Sequence, residues 1–323
     1  MAQDVLVVGE ISDGAISSTT GELIGAAKGI ADGGAVSVVL LGSAAAGAAS
    51  SAFEAGATRA YVGGDAAFDT FKADQWTDAV NNAIDQGSPA VVLMAQSPVG
   101  RDLGPRVAFR RNSAVAMDCV TVGVDGGVFK ATRPCYGGNA QAVYSFTTSP
   151  AVATVRAKSF DPPAPQAGAS GETVELPAPG DSKWDILGFE EVVTEGLQIE
   201  DATIVVSGGR GLGDEEGFRM VEQLASAFGD DKAAVGASRA AVDLGWYPVS
   251  QQVGLTGKVV TPDLYVAIAI SGASQHMAGC SGSKMIIAVN RDPEANIFNS
   301  AKYGIVGDYK AVVPALIEAV KSA

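Results

Sequence analysis

The sequence predicts an α/β protein of two domains: an N-terminal parallel-sheet domain with added strands, and a C-terminal doubly wound domain. Three observations carry that expectation. The chain has 323 residues and 32.6 kDa, about twice the ~150 residues of an ordinary domain. Short β-branched runs alternate with Ala- and Gly-rich stretches of helical spacing, the texture of a parallel sheet wrapped by helices. Glycine supplies 40 residues, well above the usual ~7%, which suits many tight strand-to-helix turns.

Taken in order, Val5–Val8, Val36–Leu41, Arg59–Val62 and Val91–Met94 read as strands buried on both faces, with helices near 21–32, 46–55 and 71–86 between them. From about Val115 to Ala157 the texture changes to alternation with Gly pairs, which predicts extra strands or hairpins on the first sheet. Phe160–Gly180 holds five prolines and is read as an unpacked connector; nine Asp/Glu against one Lys between Glu172 and Asp201 make its end acidic. The plain reading is a solvated linker, the sharper one a segment laid across a partner surface. The expected division is 1–194, with the connector at about 161–194, and 195–323. After Ala202, TIVVSGGRG is a strand ending in a Gly-rich turn, and DEEGFRMVEQLASAFG is an amphipathic helix with acids in its first turn. Strands follow at Tyr265–Ile270, Met285–Asn290 and Tyr303–Val306, and a helix near Ala311–Lys321 would place Pro314 in its first turn.

Charge narrows the function classes. With 22 Lys/Arg against 36 Asp/Glu the formal charge is −14, which argues against a nucleic-acid groove and against docking on anionic lipid. Cys119, Cys135 and Cys280 are far apart with no CxxC, so neither a disulfide framework nor a metal site is expected, and reduced thiols are the default. No apolar run approaches the ~20 residues of a membrane span. The start, MAQDVLVVGE, has neither a basic region nor an Arg-rich presequence, so a cytoplasmic protein without membrane insertion is expected.

Residues able to do chemistry gather at predicted strand ends, the edge where parallel sheets bind ligands. Gly208-Gly209-Arg210-Gly211 could cradle an anion, although it carries neither the GxGxxG spacing nor a Walker Lys-Ser/Thr pair, and such turns also serve close packing. Gly236-Ala237-Ser238-Arg239 joins a hydroxyl to a guanidinium; Val253-Gly254-Leu255-Thr256-Gly257 sets a hydroxyl between glycines; Ser271-Gly272-Ala273-Ser274-Gln275-His276 follows a strand directly. Asn290 and Asp308 end two further strands. His276 is the sole histidine, and either a satisfied core imidazole or a site residue. With no second His or Cys pair near it, a metal site is disfavoured. A Ser/His/Asp triad from Ser271 or Ser238 with Asp243 is conceivable, but no GxSxG elbow supports it. After the first strand, VVGEISDG carries Glu10 and Asp13, which would repel a pyrophosphate, so the N-terminal domain reads as a scaffold.

Taken together, SGGRGL, AAVGASRAAVDLGW, QVGLTGKVVTPDLYVAIAISGASQHMAG, IIAVNRDPEANIF and YGIVGDYKAVVPALIEAV resemble the α subunit of electron-transfer flavoprotein from about Asp201 to Val320. GRDLGPRVA (Gly100–Ala108) and RPCYGGNAQA (Arg133–Ala142) are similar more loosely. The resemblance implies a heterodimer with a β subunit. One FAD would sit mostly in the C-terminal domain of this chain, and AMP or a second FAD in the partner. Electrons would pass from flavin dehydrogenases, such as the acyl-CoA dehydrogenases of fatty acid β-oxidation, to an acceptor such as a quinone oxidoreductase. The chain would be an electron carrier subunit rather than an enzyme, with no catalytic acid–base pair.

Carried over residue by residue, Arg210, Ser238, Arg239, Val253, Gly254, Leu255, Thr256, Ser271, Gly272, Ala273, Ser274, Gln275, His276, Asn290, Asp308 and Tyr309 would contact FAD. Arg239 would lie beside the isoalloxazine ring, Thr256 would reach its N5 and His276 its C2 carbonyl oxygen. Ser271–Gln275 and Asn290 would serve the ribityl and pyrophosphate part. Leu255 stands where the family commonly has Gln, which removes a hydrogen bond to the cofactor. Gly307 in the GIVGD run also occurs in electron-bifurcating members, so an NADH-oxidising bifurcating subunit is one alternative. A non-redox nucleotide-binding regulatory protein is another. The proline-containing connector would permit the FAD domain to swing on a base formed by the N-terminal domain and the β subunit.

Overall fold

The computed structural model describes residues 3–138, 140–188 and 197–322. The chain forms two compact units, one from the described residues up to Cys135 together with Gln141–Gly188, the other from Tyr136–Gly138, Ala140 and the described residues beyond 196. The boundary expected at 194/195 lies outside the described residues.

In the first unit β1 (Val5–Val8) runs into a short hairpin of β2 (Ile11–Ser12) and β3 (Ala15–Ile16). Then follow α1 (Ser18–Ala31), β4 (Val36–Leu41), α2 (Ala45–Glu54), β5 (Arg59–Gly63), α3 (Ala73–Gly87), β6 (Val91–Ala95) and α4 (Pro98–Arg110). The added strands are β7 (Val115–Cys119), β8 (Thr121–Asp125), β9 (Val128–Cys135), β10 (Ala140–Ser145), β11 (Ala151–Val155) and β12 (Glu172–Glu175). Seven strands form one parallel sheet in the order β12-β5-β4-β1-β6-β11-β7, while β10-β9-β8 make a separate three-stranded sheet. Adjacent residues of β1 point to opposite faces. Val5 and Val7 pack on α1 and α2 through Leu23, Ile24 and Ala52, and Leu6 and Val8 on α3 and α4 through Val80, Ile84 and Leu103. Both faces are covered, which is why these strands are unbroken apolar runs.

Two features depart from the sequence reading. Glu172–Glu175 is not an unpacked connector: Glu172, Thr173, Val174 and Glu175 pair in register with Arg59, Ala60, Tyr61 and Val62. As an edge strand with exposed glutamates it needs only one ladder, and its charge discourages further pairing. The helix α4 was hidden by its interior Pro105 and two glycines; it starts on an N-cap, with Ser97 Oγ accepting from Gly100 N at 3.0 Å and Pro98 in the first turn.

The second unit contains β13 (Ile204–Gly208), α5 (Phe218–Phe228), β14 (Ala233–Ser238), α6 (Arg239–Asp243) and β15 (Gln252–Val253). It continues with β16 (Leu264–Ile268), α7 (Ser274–Cys280), β17 (Met285–Asn290), β18 (Tyr303–Val306) and α8 (Tyr309–Lys321). All six strands are parallel, in the order β15-β14-β13-β16-β17-β18. The chain winds outward one way from β13 and then the other way from β16, so the sheet is doubly wound with its switch point between these two strands. Val206, Val266 and Ile268 face α5 and α8 through Val221, Leu224 and Val313. Val205, Tyr265 and Ala267 face the opposite layer with Met277 and Cys280 of α7. Helix α8 begins two residues earlier than expected because Asp308 caps it, accepting from Lys310 N at 2.9 Å. Pro314 therefore lies inside the helix, beyond its first turn. No helix among the described residues is long and apolar enough to cross a membrane.

Candidate functional site at the switch point

At the carboxyl ends of β13 and β16 a cavity of about 820 Å³ opens, where a doubly wound sheet leaves a crevice between diverging helices. Its wall includes Arg210, Ser238, Arg239, Val253–Thr256, Ser271, Ala273, Gln275, His276 and Asn290. A second cavity of about 290 Å³ shares Arg210, Gly211, Ala269, Asn290 and Arg291 with the first, and adds Asp308 and Tyr309. The shared residues make the two a continuous groove suited to an elongated ligand. Fourteen expected residues thus reach one groove. Gly272 and Ser274 line neither cavity. Gly272 turns the chain at φ +81°, with a hypothetical Cβ 2.2 Å from Ile297 N, and Ser274 opens α7.

The Gly-rich turn works differently from an anion cradle. Gly209 N and Gly211 N already donate to Ile268 O (3.0 Å) and Ala269 O (3.2 Å), and α5 begins only at Phe218. The glycines permit close approach, since a Cβ on Gly209 would lie 2.4 Å from Ala269 O. Ala269 itself has φ +55°, an unusual backbone for alanine at the mouth of both cavities. The positive charge of this turn therefore comes from the Arg210 side chain.

Several wall side chains are held by neighbours. Gln252 Nε2 donates to Thr256 Oγ1 at 3.0 Å, Leu255 N to Gln275 O at 2.7 Å, and Asn290 Nδ2 to Ile270 O at 2.9 Å. Tyr309 is buried, its hydroxyl donating to Leu212 O at 2.8 Å. Arg239 Nε is 3.3 Å from Asp243 Oδ2, both largely exposed, while Arg210 and Arg291 form no ion pair among the described residues. The Leu255 side chain is 55% exposed, so nothing in the packing requires an apolar residue there. Arg291 and Gln252 were missed by sequence reasoning; Arg291 follows Asn290 directly and could have been found from its strand end.

His276 is buried, with Nε2 2.9 Å from Tyr265 Oη. Nδ1 has no partner at bonding geometry, although the Val253 carbonyl approaches the ring and favours its protonated form. Burial outweighs that carbonyl and pushes the imidazole down to about 4, so the ring is neutral at neutral pH. Asp243 is engaged with Arg239, and His276 with a tyrosine rather than a serine, so no Ser/His/Asp triad is assembled.

Comparison with known proteins identifies the family of the chain. Residues 5–181 match the family model of the electron transfer flavoprotein domain, and residues 198–281 that of the electron transfer flavoprotein FAD-binding domain. The chain is similar to the electron transfer flavoprotein α subunit of Bacillus subtilis, at 38% identity over 99% of this chain and 98% of that protein. It is 41% identical to the Mycobacterium tuberculosis α subunit, over 99% of this chain and 98% of the other. The Paracoccus denitrificans α subunit is 40% identical over 97% and 98%. The chain belongs to the electron transfer flavoprotein α-subunit family. For a member of this family the groove has the chemistry a flavin dinucleotide needs: guanidinium groups for phosphate oxygens, hydroxyls and amides along the middle, and an orphaned buried imidazole nitrogen on the wall of the larger cavity.

Proposed function

We propose that this chain holds one FAD in the switch-point groove and works as the α subunit of a heterodimer. Its β subunit would hold AMP, and the pair would carry electrons from flavin dehydrogenases of the acyl-CoA dehydrogenase type to an acceptor such as a quinone oxidoreductase. The single observation that supports this best is the continuous groove, which gathers Arg210, Ser238, Arg239, Thr256, His276, Asn290 and Asp308 along one sheet edge. In this reading the ring end falls to Arg239, Thr256 and His276, with Ser238 and Val253–Leu255 around it. The ribityl and pyrophosphate part falls to Ser271–Gln275, Asn290 and Arg210, and the far end to Asp308 and Tyr309. The flavin, when bound, supplies the one- and two-electron redox chemistry.

The protein's share is to bind, orient and set the electrostatics. Arg239 offers a full positive charge, worth between about 1 kcal/mol in solvent and about 4 kcal/mol at an effective dielectric of ~20 for a negative charge ~4 Å away. Its exposure and its pairing with Asp243 hold the value near the lower end. His276 offers a dipole rather than a charge, from a side chain that is itself largely withdrawn from solvent. Both favour a ligand carrying extra electrons, and neither needs to move a proton. The Gln252–Thr256 bond fixes the hydroxyl that faces the groove.

Co-expression with a β subunit, followed by an absorbance spectrum and counting of released cofactors, tests the proposal. The expected result is a yellow heterodimer with one FAD and one AMP, and weaker flavin retention in Arg239→Ala. Two FAD per heterodimer would instead make the pair a bifurcating type. A colourless protein that binds ATP or ADP would overturn the proposal.

A further inference from the structure

Beneath the groove, Tyr265 of β16 and His276 of α7 meet through one hydrogen bond in a fully packed layer. Tyr265 Oη is 2.9 Å from His276 Nε2, and Tyr265 is 0% exposed. The two residues are eleven positions apart along the chain; the β16-to-α7 crossover brings them together. Cys280, one turn further along α7, directs its thiol to the His276 carbonyl, and its sulfur and the Ser207 hydroxyl both lie near enough to the Tyr265 hydroxyl to interact with it. Ser207 lies on the same sheet face as Tyr265, since Val205 is paired with Tyr265 and Ser207 with Ala267, and it too is fully buried. The imidazole thus has one nitrogen engaged by a phenol and the other, Nδ1, without a partner at bonding geometry on a residue of the cavity wall.

A neutral imidazole carries a single proton, and the partner of one nitrogen decides which nitrogen holds it. If Nε2–H donated to Tyr265, Nδ1 would be a bare acceptor, added to a wall that already carries the acceptors Asp243, Asp292 and Glu294 beside the donors Arg210, Arg239 and Arg291. If Tyr265 donates, Nδ1–H becomes one more donor of the same kind. The Val253 carbonyl, a negative dipole end beside the ring, favours a protonated imidazole nitrogen, and with Nε2 engaged by Tyr265 the nitrogen left to carry the proton is Nδ1. A buried N–H that meets the Val253 carbonyl only outside bonding geometry is poorly satisfied, so a better acceptor is expected to arrive with the ligand.

We propose that Tyr265 is a positioning residue: its hydroxyl donates to Nε2 and holds His276 as the Nδ1–H tautomer, a neutral donor on the cavity wall. Tyr265 itself touches no ligand in this scheme. Its effect on flavin binding rests on the FAD reading above; its effect on the tautomer does not. A phenylalanine at 265 keeps the ring that fills the core and removes only the donor. The imidazole is then free to adopt the Nε2–H form that the unconstrained side chain favours.

Because His276 is the only histidine in the chain, ring-nitrogen NMR of the full chain carrying ring-15N histidine reads its tautomer without assignment work. Wild type is expected to carry its proton on Nδ1, and Tyr265→Phe to shift the population toward Nε2–H. A wild-type proton on Nε2, or an unchanged tautomer in a folded Tyr265→Phe, overturns the proposal; if that variant does not fold, the wild-type spectrum alone decides. FAD affinity of the same chain gives the second readout. Tyr265→Phe is expected to weaken FAD binding about tenfold, the scale of one hydrogen bond. In a His276→Asn background, whose amide N–H stands near the Nδ1 position without help from Tyr265, the same change is expected to have little effect. Equal losses in both backgrounds overturn the positioning role. Failure of wild type to bind FAD while the Nδ1–H tautomer is seen counts against the FAD reading and leaves this one standing.

Discussion

Lowering the pH is expected to destabilise the C-terminal unit through His276. The imidazole has an ordinary value of 6.5 and is pushed to about 4 by burial in the fold. Below 6.5 the unfolded chain binds a proton there that the folded chain refuses, so protons accumulate on the unfolded side. The stabilisation is fully present above 6.5, is lost progressively as the pH falls, and its loss is complete below about 4. A gap of that size corresponds to about 3 kcal/mol in total, and about 2 kcal/mol is already lost near pH 5. Urea denaturation of the full chain followed by circular dichroism, at neutral pH and near pH 5, measures it against His276→Gln, which has no group titrating in this window. Burial raises the values of Glu10 and Glu22, so they act in the opposite direction and cancel in the difference between the two proteins. A wild-type-minus-variant difference that stays within about 0.3 kcal/mol across this range would refute the buried, neutral imidazole.

Asp118→Asn keeps the size and the left-handed backbone of Asp118 (φ 61°) but leaves Arg156, held at 2.9 and 2.8 Å by a two-pronged contact, without its counter-charge. With these side chains only 20% and 16% exposed, a loss of about 2 kcal/mol is expected in urea denaturation, partly recovered by adding Arg156→Met. Gly272→Ala is expected to cost about 3 kcal/mol or more, read as a lower melting temperature, since the new Cβ would lie 2.2 Å from Ile297 N at a φ of +81°. A melting temperature matching wild type would show that the turn can open at little cost.

The parts of the fold legible in the sequence are those where burial on both faces imposes a composition. Val5–Val8 and Val36–Leu41 are β-branched or leucine-rich because helices cover both sides of the sheet. Strand β14, AAVGAS, carries almost no such signal: a Cβ on Gly236 would lie 2.6 Å from Ser207 Oγ, so close packing keeps the residue small. Strand β12 was hidden by flanking prolines and its own glutamates, a composition that an edge strand tolerates and a central one does not. The site was legible as a set because parallel topology sends every strand's carboxyl end to one edge. Its pairings were not. The Arg239–Asp243 pair is one of several ion pairs that helical spacing allows, and the Tyr265–His276 bond depends on how α7 packs back on β16. The Gly-rich turn stays open in the sequence because an anion cradle and a close backbone approach demand the same residues; only the carbonyls of Ile268 and Ala269 separate the two.

The groove combines two unlike sources of positive potential, and the difference between them follows from where each sits. Arg239 is exposed and shares its charge with Asp243, so salt and solvent screen it, and its pull extends outward along the rim. His276 is buried and uncharged, and its field is local and insensitive to salt. A buried imidazolium would stabilise an added negative charge far more strongly, but the fold would have to bear its desolvation whenever that charge was absent. A neutral N–H bears far less of that cost, and it still favours a ligand as negative charge grows on it. Under the proposed function, that suits a carrier, which has to release electrons as readily as it accepts them. In the proposed assignment, a hydroxyl of β16 that never meets the cofactor is what keeps the imidazole in that intermediate role.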